Sequence, residues 1–204
     1  MAVLLGVHVL GLLVLAVLRL VLFVAGHSML SADSAGKAGL QSLAFLHGLW
    51  FDNVIACYIL ILPLVMLWIT SLFNYTAKWI YLFTGGWFIG FYSLAFIISV
   101  SNIPYFEYFF KTINSSIYNW FGYAGTTAGM IFGETSYYFP IFLGITAIVL
   151  WGIGIHLLSK RTYERCLQSA KTISIKERGI ILLAGAALVG LCLFGIRGRM
   201  GYNP

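Results

Sequence analysis

Two ionisable residues stand where ions are costly. Arg19 lies inside the apolar run 2–25, and Asp52 lies near the start of a second apolar run, 49–73. A charge in hydrocarbon must snorkel to the interface or meet an opposite charge. Counted back from Gly26 at 1.5 Å per residue, Arg19 sits about 10 Å below the end of its run. Asp52 is somewhat shallower and within reach of a long guanidinium arm. These residue types at these depths predict an Arg19–Asp52 ion pair. Such a pair has two readings: a bridge between helices, or an anion site facing lipid headgroups. Arginine suits the second because it supplies charge and paired N–H donors together.

The remaining candidates for headgroup contact or domain docking are Glu107, Lys111, Glu134 and Arg197. Glu107 and Lys111 have the i, i+4 spacing of a helical ion pair. Glu134 precedes the fourth apolar run, and Arg197 closes the fifth. His8, His27, His47 and His156 are scattered, with no HxxxH or HxH spacing, so no metal site built from them alone is expected. Cys57, Cys166 and Cys192 form no CxxC pair, and two of them lie in apolar runs. No disulfide framework is expected from that pattern. There is neither a phosphate-binding glycine loop nor a GxSxG elbow. Asn114-Ser-Ser is a formal glycosylation sequon, too common to carry weight.

These residues need elements to hold them, and the composition dictates which. Of 204 residues, 61% are hydrophobic and 9% charged, and the run 79–101 carries no charge. A bilayer core of about 30 Å is crossed by about 20 apolar residues in a helix. The chain supplies that length five times, at about 2–25, 49–73, 79–101, 138–158 and 179–196. Each run is expected to be helical, because an isolated strand in lipid leaves its backbone unpaired. The fold class is therefore an all-α polytopic membrane protein. The first run is too long for a signal-peptide core and lacks a basic start, so it is read as an anchor.

The net charge of +6 does not point to nucleic acid, because its basic residues are concentrated between two spans. Lys160, Arg161, Arg165, Lys171, Lys176 and Arg178 crowd the connection between the fourth and fifth runs. By the positive-inside rule that connection is cytoplasmic, which sets the N-terminus inside and the C-terminus outside. Lys78 agrees with this threading; Arg197 and Arg199 lie on the opposite side.

The segment 102–137 is expected on the outer side. Asn102-Ile-Pro104 is read as ending the third helix. Phe106, Phe110, Ile113, Ile117, Trp120 and Ala124 then recur at steps of three and four, with polar residues between. This predicts an amphipathic helix over about 105–123, lying flat on the outer surface. A second short interfacial helix is expected at 40–48. Gly86/Gly90 and Gly125/Gly129/Gly133 have the four-residue spacing of close helix packing. No internal repeat supports an inverted-repeat transporter.

Several of these stretches resemble a known family. Gly48-Leu-Trp-Phe-Asp52 resembles the G-L-R-F-D element of the lipoteichoic acid synthase family, with Trp50 where that family often has a basic residue. Asn102-Ile-Pro-Tyr-Phe-Glu-Tyr-Phe-Phe110 resembles the segment after that family's third span. The placement of Arg19 and Phe23, the closing Ile196-Arg-Gly-Arg199 and the five-span layout are similar too. The resemblance implies a phosphoglycerol transferase or a related sulfatase-like enzyme of the alkaline phosphatase superfamily, a plan shared with phosphoethanolamine transferases. In such enzymes five helices anchor an extracytoplasmic catalytic domain with a threonine nucleophile and a divalent metal, manganese or magnesium. That domain takes a head group from a lipid and passes it to an acceptor.

The 204 residues match the membrane domain of that plan and not its catalytic domain. Thr135 is not the family's nucleophile, because it lies in the membrane domain without metal ligands around it. The expectation is thus a membrane anchor at the outer face of a bacterial plasma membrane. It would present an anionic phospholipid donor to the catalytic domain and hold no cofactor or catalytic residue of its own. A small channel or transporter, or a structural partner subunit of a membrane enzyme, are the alternative readings.

Overall fold

The computed structural model describes residues 2–26, 38–109, 112–113, 125, 129, 133–168 and 175–197. Five long helices account for nearly all of them: α1 (Ala2–Gly26), α2 (Ala38–Leu72), α3 (Lys78–Phe109), α4 (Tyr138–Gln168) and α5 (Ile175–Arg197). Each is long and apolar enough to cross a membrane. Their outward faces carry large apolar side chains, Leu13, Val17, Leu20, Phe142 and Leu183 among them. So much continuous apolar surface is untenable in water and ordinary in lipid. The protein is an all-α, multi-pass membrane protein.

Three boundaries differ from the sequence expectation. Asn102-Ile-Pro104 does not end the third helix; α3 runs through Pro104 to Phe109. A proline in a membrane helix removes one backbone donor, and neighbouring groups can make up the loss. Tyr105–Phe109 therefore continue α3 instead of opening a flat helix. Residues 110, 111 and 114–123 of that expected helix lie outside the described residues. The 40–48 stretch is not a separate interfacial helix either, because α2 is continuous from Ala38. Finally, Lys160, Arg161 and Arg165 are not in a loop but on the last turns of α4, while Lys176 and Arg178 open α5. Arg165 in the last turn of α4 complements the helix dipole, whereas Lys176 and Arg178 stand at the N-terminal end of α5, where the dipole disfavours cations.

Pro63 shows how the bundle repairs its own breaks. It lies within α2, so the carbonyl of Ile59 loses its normal i+4 donor. The Trp87 indole of α3 donates to that oxygen at 2.9 Å. Two other indoles act as cross-helix ties. Trp68 of α2 donates to Ile181 O of α5 at 3.1 Å, and Trp151 of α4 donates to Phe88 O of α3 at 3.2 Å. Between α2 and α3 the chain turns at Asn74, whose φ of 52° is left-handed. Tyr75 N–H donates to Thr70 O and Asn74 N–H to Ser71 O, the paired bonds of a Schellman C-cap.

The core is aromatic at its centre. Tyr92 and Phe96 of α3 pack on Trp151 of α4, with ring centroids 4.6 and 5.5 Å apart. Gly11 of α1 lies directly on the Tyr92 ring. α1, α2, α3 and α4 form a mutually packed set, whereas α5 packs almost wholly on α2.

Glycines confer close approach, but not the ones their spacing suggested. A Cβ at Gly86, Gly90, Gly125, Gly129 or Gly133 would meet nothing within 4 Å among the described residues. Among the described residues the tight crossings fall at Gly11, Gly26, Gly48, Gly85, Gly185 and Gly195, which face Tyr92, Phe106, Arg19, Ser159, Trp68 and Cys57.

Candidate functional site

Arg19 projects from α1 onto α2 and meets Asp52 in a two-pronged bond. Nε donates to Asp52 Oδ2 at 3.0 Å and Nη2 to Oδ1 at 2.7 Å. Two parallel N–H···O⁻ bonds are the strongest geometry available to this pair. Gly48, one turn before Asp52 on α2, makes it possible. Any side chain at that position would occupy the volume of the guanidinium. The Gly48…Asp52 spacing is thus one device, a notch and a carboxylate on the same helix face.

The pair is asymmetric in its surroundings. The Asp52 side chain is 6% exposed and that of Arg19 is 31% exposed. The anion is sealed into the bundle while the cation remains partly open. The assembly is neutral overall, yet it presents a donor-bearing positive face. That face borders a cavity of about 180 Å³ between α1, α2 and α3, walled mainly by Leu22, Phe23, Phe45 and Phe106. Gly26 at the end of α1 sits against the Phe106 ring, which fixes the far side of the cavity.

Comparison of the chain with protein-family models, curated proteins and solved structures finds no match. The reading of this site therefore rests on its own geometry.

Among the described residues Arg19 pairs with Asp52, and neither Glu134 nor Arg197 lines its cavity. Arg197 is exposed at the end of α5, two residues past Gly195, which packs on Cys57. Glu134 is exposed ahead of a short 3-10 turn, Thr135–Tyr137, where its carbonyl accepts from Tyr137 N–H. Glu107 lies on the last turns of α3, but its side chain and Lys111 are outside the described residues, and so is their expected pairing.

A second polar cluster escaped the sequence reading. It lies deeper, where α1, α2 and α5 meet. His8 Nε2 is 3.2 Å from Asn53 Oδ1, and Cys57 Sγ is 4.0 Å from the same oxygen. Cys192 Sγ donates to Cys57 O at 3.2 Å. Asn53 and Cys57 are one turn apart, as are Cys192 and Gly195, so two polar faces oppose each other across the α2–α5 seam. Asn53 adjoins Asp52 in sequence but faces a different neighbour. The i, i+4 step from Asn53 to Cys57 was the available signal. Among the described residues, no group of three or more His, Cys, Asp or Glu side chains is arranged to hold a metal ion.

Proposed function

We propose that this chain is the membrane domain of a lipid-dependent transferase resembling the lipoteichoic acid synthase and sulfatase-like family. On this reading it anchors an extracytoplasmic catalytic domain in a bacterial plasma membrane and offers that domain an anionic phospholipid. The observation that carries the reading is the half-open Arg19–Asp52 pair at the wall of an apolar cavity. A buried carboxylate holds the guanidinium in place, and the cavity beside it is lined for an acyl chain or glycerol backbone. A lipid phosphate at the exposed side of Arg19 gains charge and donors from a group already oriented, so little ordering entropy is lost on binding. The catalytic chemistry, with its manganese or magnesium, belongs to the partner domain.

Retained lipid tests the site. In native mass spectrometry from mixed micelles, the protein should keep phosphatidylglycerol in preference to phosphatidylcholine. Ala44→Phe, which fills the cavity and spares the ion pair, should abolish that preference. Equal retention of the two lipids by the unaltered protein overturns the reading. The catalytic partner is tested separately, by whether a sulfatase-like domain follows in frame in the gene or co-purifies as a second chain. A membrane domain accompanied by neither refutes it.

Orientation follows from the basic ends of α4 and α5. With native cysteines replaced, a cysteine at Glu164 should label from the cytoplasmic side and one at Glu134 from outside. Both positions are exposed, so labelling of both from one side would reverse the proposal.

A further inference from the structure

The cluster on the α2–α5 seam combines two thiols, a base and a lipid-facing cavity, and it owes nothing to the lipid-donor reading. Cys57 and Cys192 are free and buried. Cys192 Sγ lies 3.2 Å from the Cys57 carbonyl. The Cys57 thiol is seated against Gly195, one turn from Cys192, with its sulfur 2.7 Å from where a Cβ would stand. A glycine there lets α5 approach until the two thiols oppose each other. Disulfide formation needs Cβ atoms about 3.5–4.5 Å apart, and Cys192 Sγ already lies against the backbone of Cys57.

His8 completes the set. With Nε2 protonated and donating to Asn53 Oδ1, Nδ1 carries the free lone pair. Among the described residues Nδ1 is buried and without a partner, and a buried, unmatched acceptor carries a desolvation cost. Leu5, Leu188 and Leu191 wall a cavity of about 160 Å³ that reaches His8 and both thiols. A cavity of about 150 Å³ takes up a benzene ring in a protein core. Leu5 and Leu191 are themselves exposed on the lipid-facing surface, so the cavity lies beside hydrocarbon and away from bulk water. An oxidant that arrives there is a lipid-soluble, ring-sized one.

We propose that Cys57 and Cys192 are a redox-active dithiol oxidised by a membrane-dissolved quinone, with His8 as the proton carrier. Both S–H bonds break and one S–S bond forms. Two electrons pass to the quinone, and its two carbonyl oxygens gain the two protons, giving the hydroquinone. His8 Nδ1 has neither thiol within hydrogen-bond reach in this arrangement, so it takes up the first thiol proton after the imidazole turns within the shared cavity, and hands it to the nearer quinone oxygen. The product is a covalent tie between α2 and α5, reversible by dithiol reductants.

Thiol counting on the full chain in nanodiscs tests this. The probe is a fully substituted short-chain ubiquinone analogue, which cannot be attacked by thiols at an open ring carbon. After quinone treatment and denaturation, one thiol of three should still react with maleimide, mapped to Cys166. The intact mass should fall by about 2 Da, the two hydrogens lost in forming one disulfide. Dithiothreitol should restore all three. Cys57→Ser and Cys192→Ser should each keep both remaining thiols after quinone. His8→Ala should reach the same end point at least tenfold more slowly. Three reactive thiols after quinone, or a disulfide that joins two chains or includes Cys166, overturns the proposal. An unchanged rate in His8→Ala overturns the role of the imidazole.

Discussion

Asp52→Ala should lower the stability of the bundle toward the lower end of about 3–5 kcal/mol, the usual cost of stranding one partner of a buried pair. Arg19 remains after the substitution, with Gly48 beneath it and its carboxylate gone. Because the guanidinium is 31% exposed, it recovers part of that loss by turning toward the headgroups, which is why the upper end is not expected. The double variant Arg19→Met, Asp52→Leu should recover most of the stability, since it removes both charges and fills similar volumes. Unfolding in mixed detergent micelles, followed by tryptophan emission, measures all three. A single variant as stable as the parent, or a double variant worse than the single, would mean that the pair is not desolvated as the geometry indicates.

Gly11→Ala is expected to be the most damaging of the small substitutions. The added methyl falls inside the Tyr92 ring. Tyr92 is 1% exposed and held by Phe88, Phe96 and Trp151, so the ring has nowhere to go. Overpacking of a filled core typically costs about 1–3 kcal/mol. The gain in helix propensity from glycine to alanine, about 0.5–1 kcal/mol, offsets part of it. Gly152→Ala is the control. A Cβ there meets nothing within 4 Å among the described residues, so the propensity gain should appear undiminished. A shift in melting temperature of the same sign for both variants would contradict the packing described at Tyr92.

The five spans and the Arg19–Asp52 pair were legible because each follows from one large energy term. Hydrocarbon demands about 20 apolar residues, and two opposite charges at similar depth demand each other. What was not legible depended on neighbours. Pro104 reads as a terminator in isolation, and a bundle that can make up for a missing donor lets the helix continue. At Pro63 that compensation comes from Trp87, a residue on another helix. The small-residue spacing at Gly86 and Gly90 was conspicuous and meets nothing among the described residues, while Gly11, Gly26, Gly48, Gly85, Gly185 and Gly195 belong to no common pattern. Each of them is set by a side chain on a different helix. His8, Asn53, Cys57 and Cys192 went unseen for a related reason. The histidines were weighed as metal ligands and the cysteines as a disulfide framework, Asn53 was not singled out, and the contacts that join them span 45 and 135 residues of sequence.

The one-sided attachment of α5 has a consequence for how the protein is made. Residues through Gln168 hold every helix of the mutually packed set. The Arg19–Asp52 bond and the Tyr92–Trp151 stack both close inside that portion. Once α4 has emerged from the ribosome, all that the first four helices need to settle together in the membrane is available. α5 arrives afterwards, onto a face of α2 that already presents Trp68 and Cys57. Membrane assembly of this chain then has a natural last step, in which a single helix slides onto a finished platform along one seam.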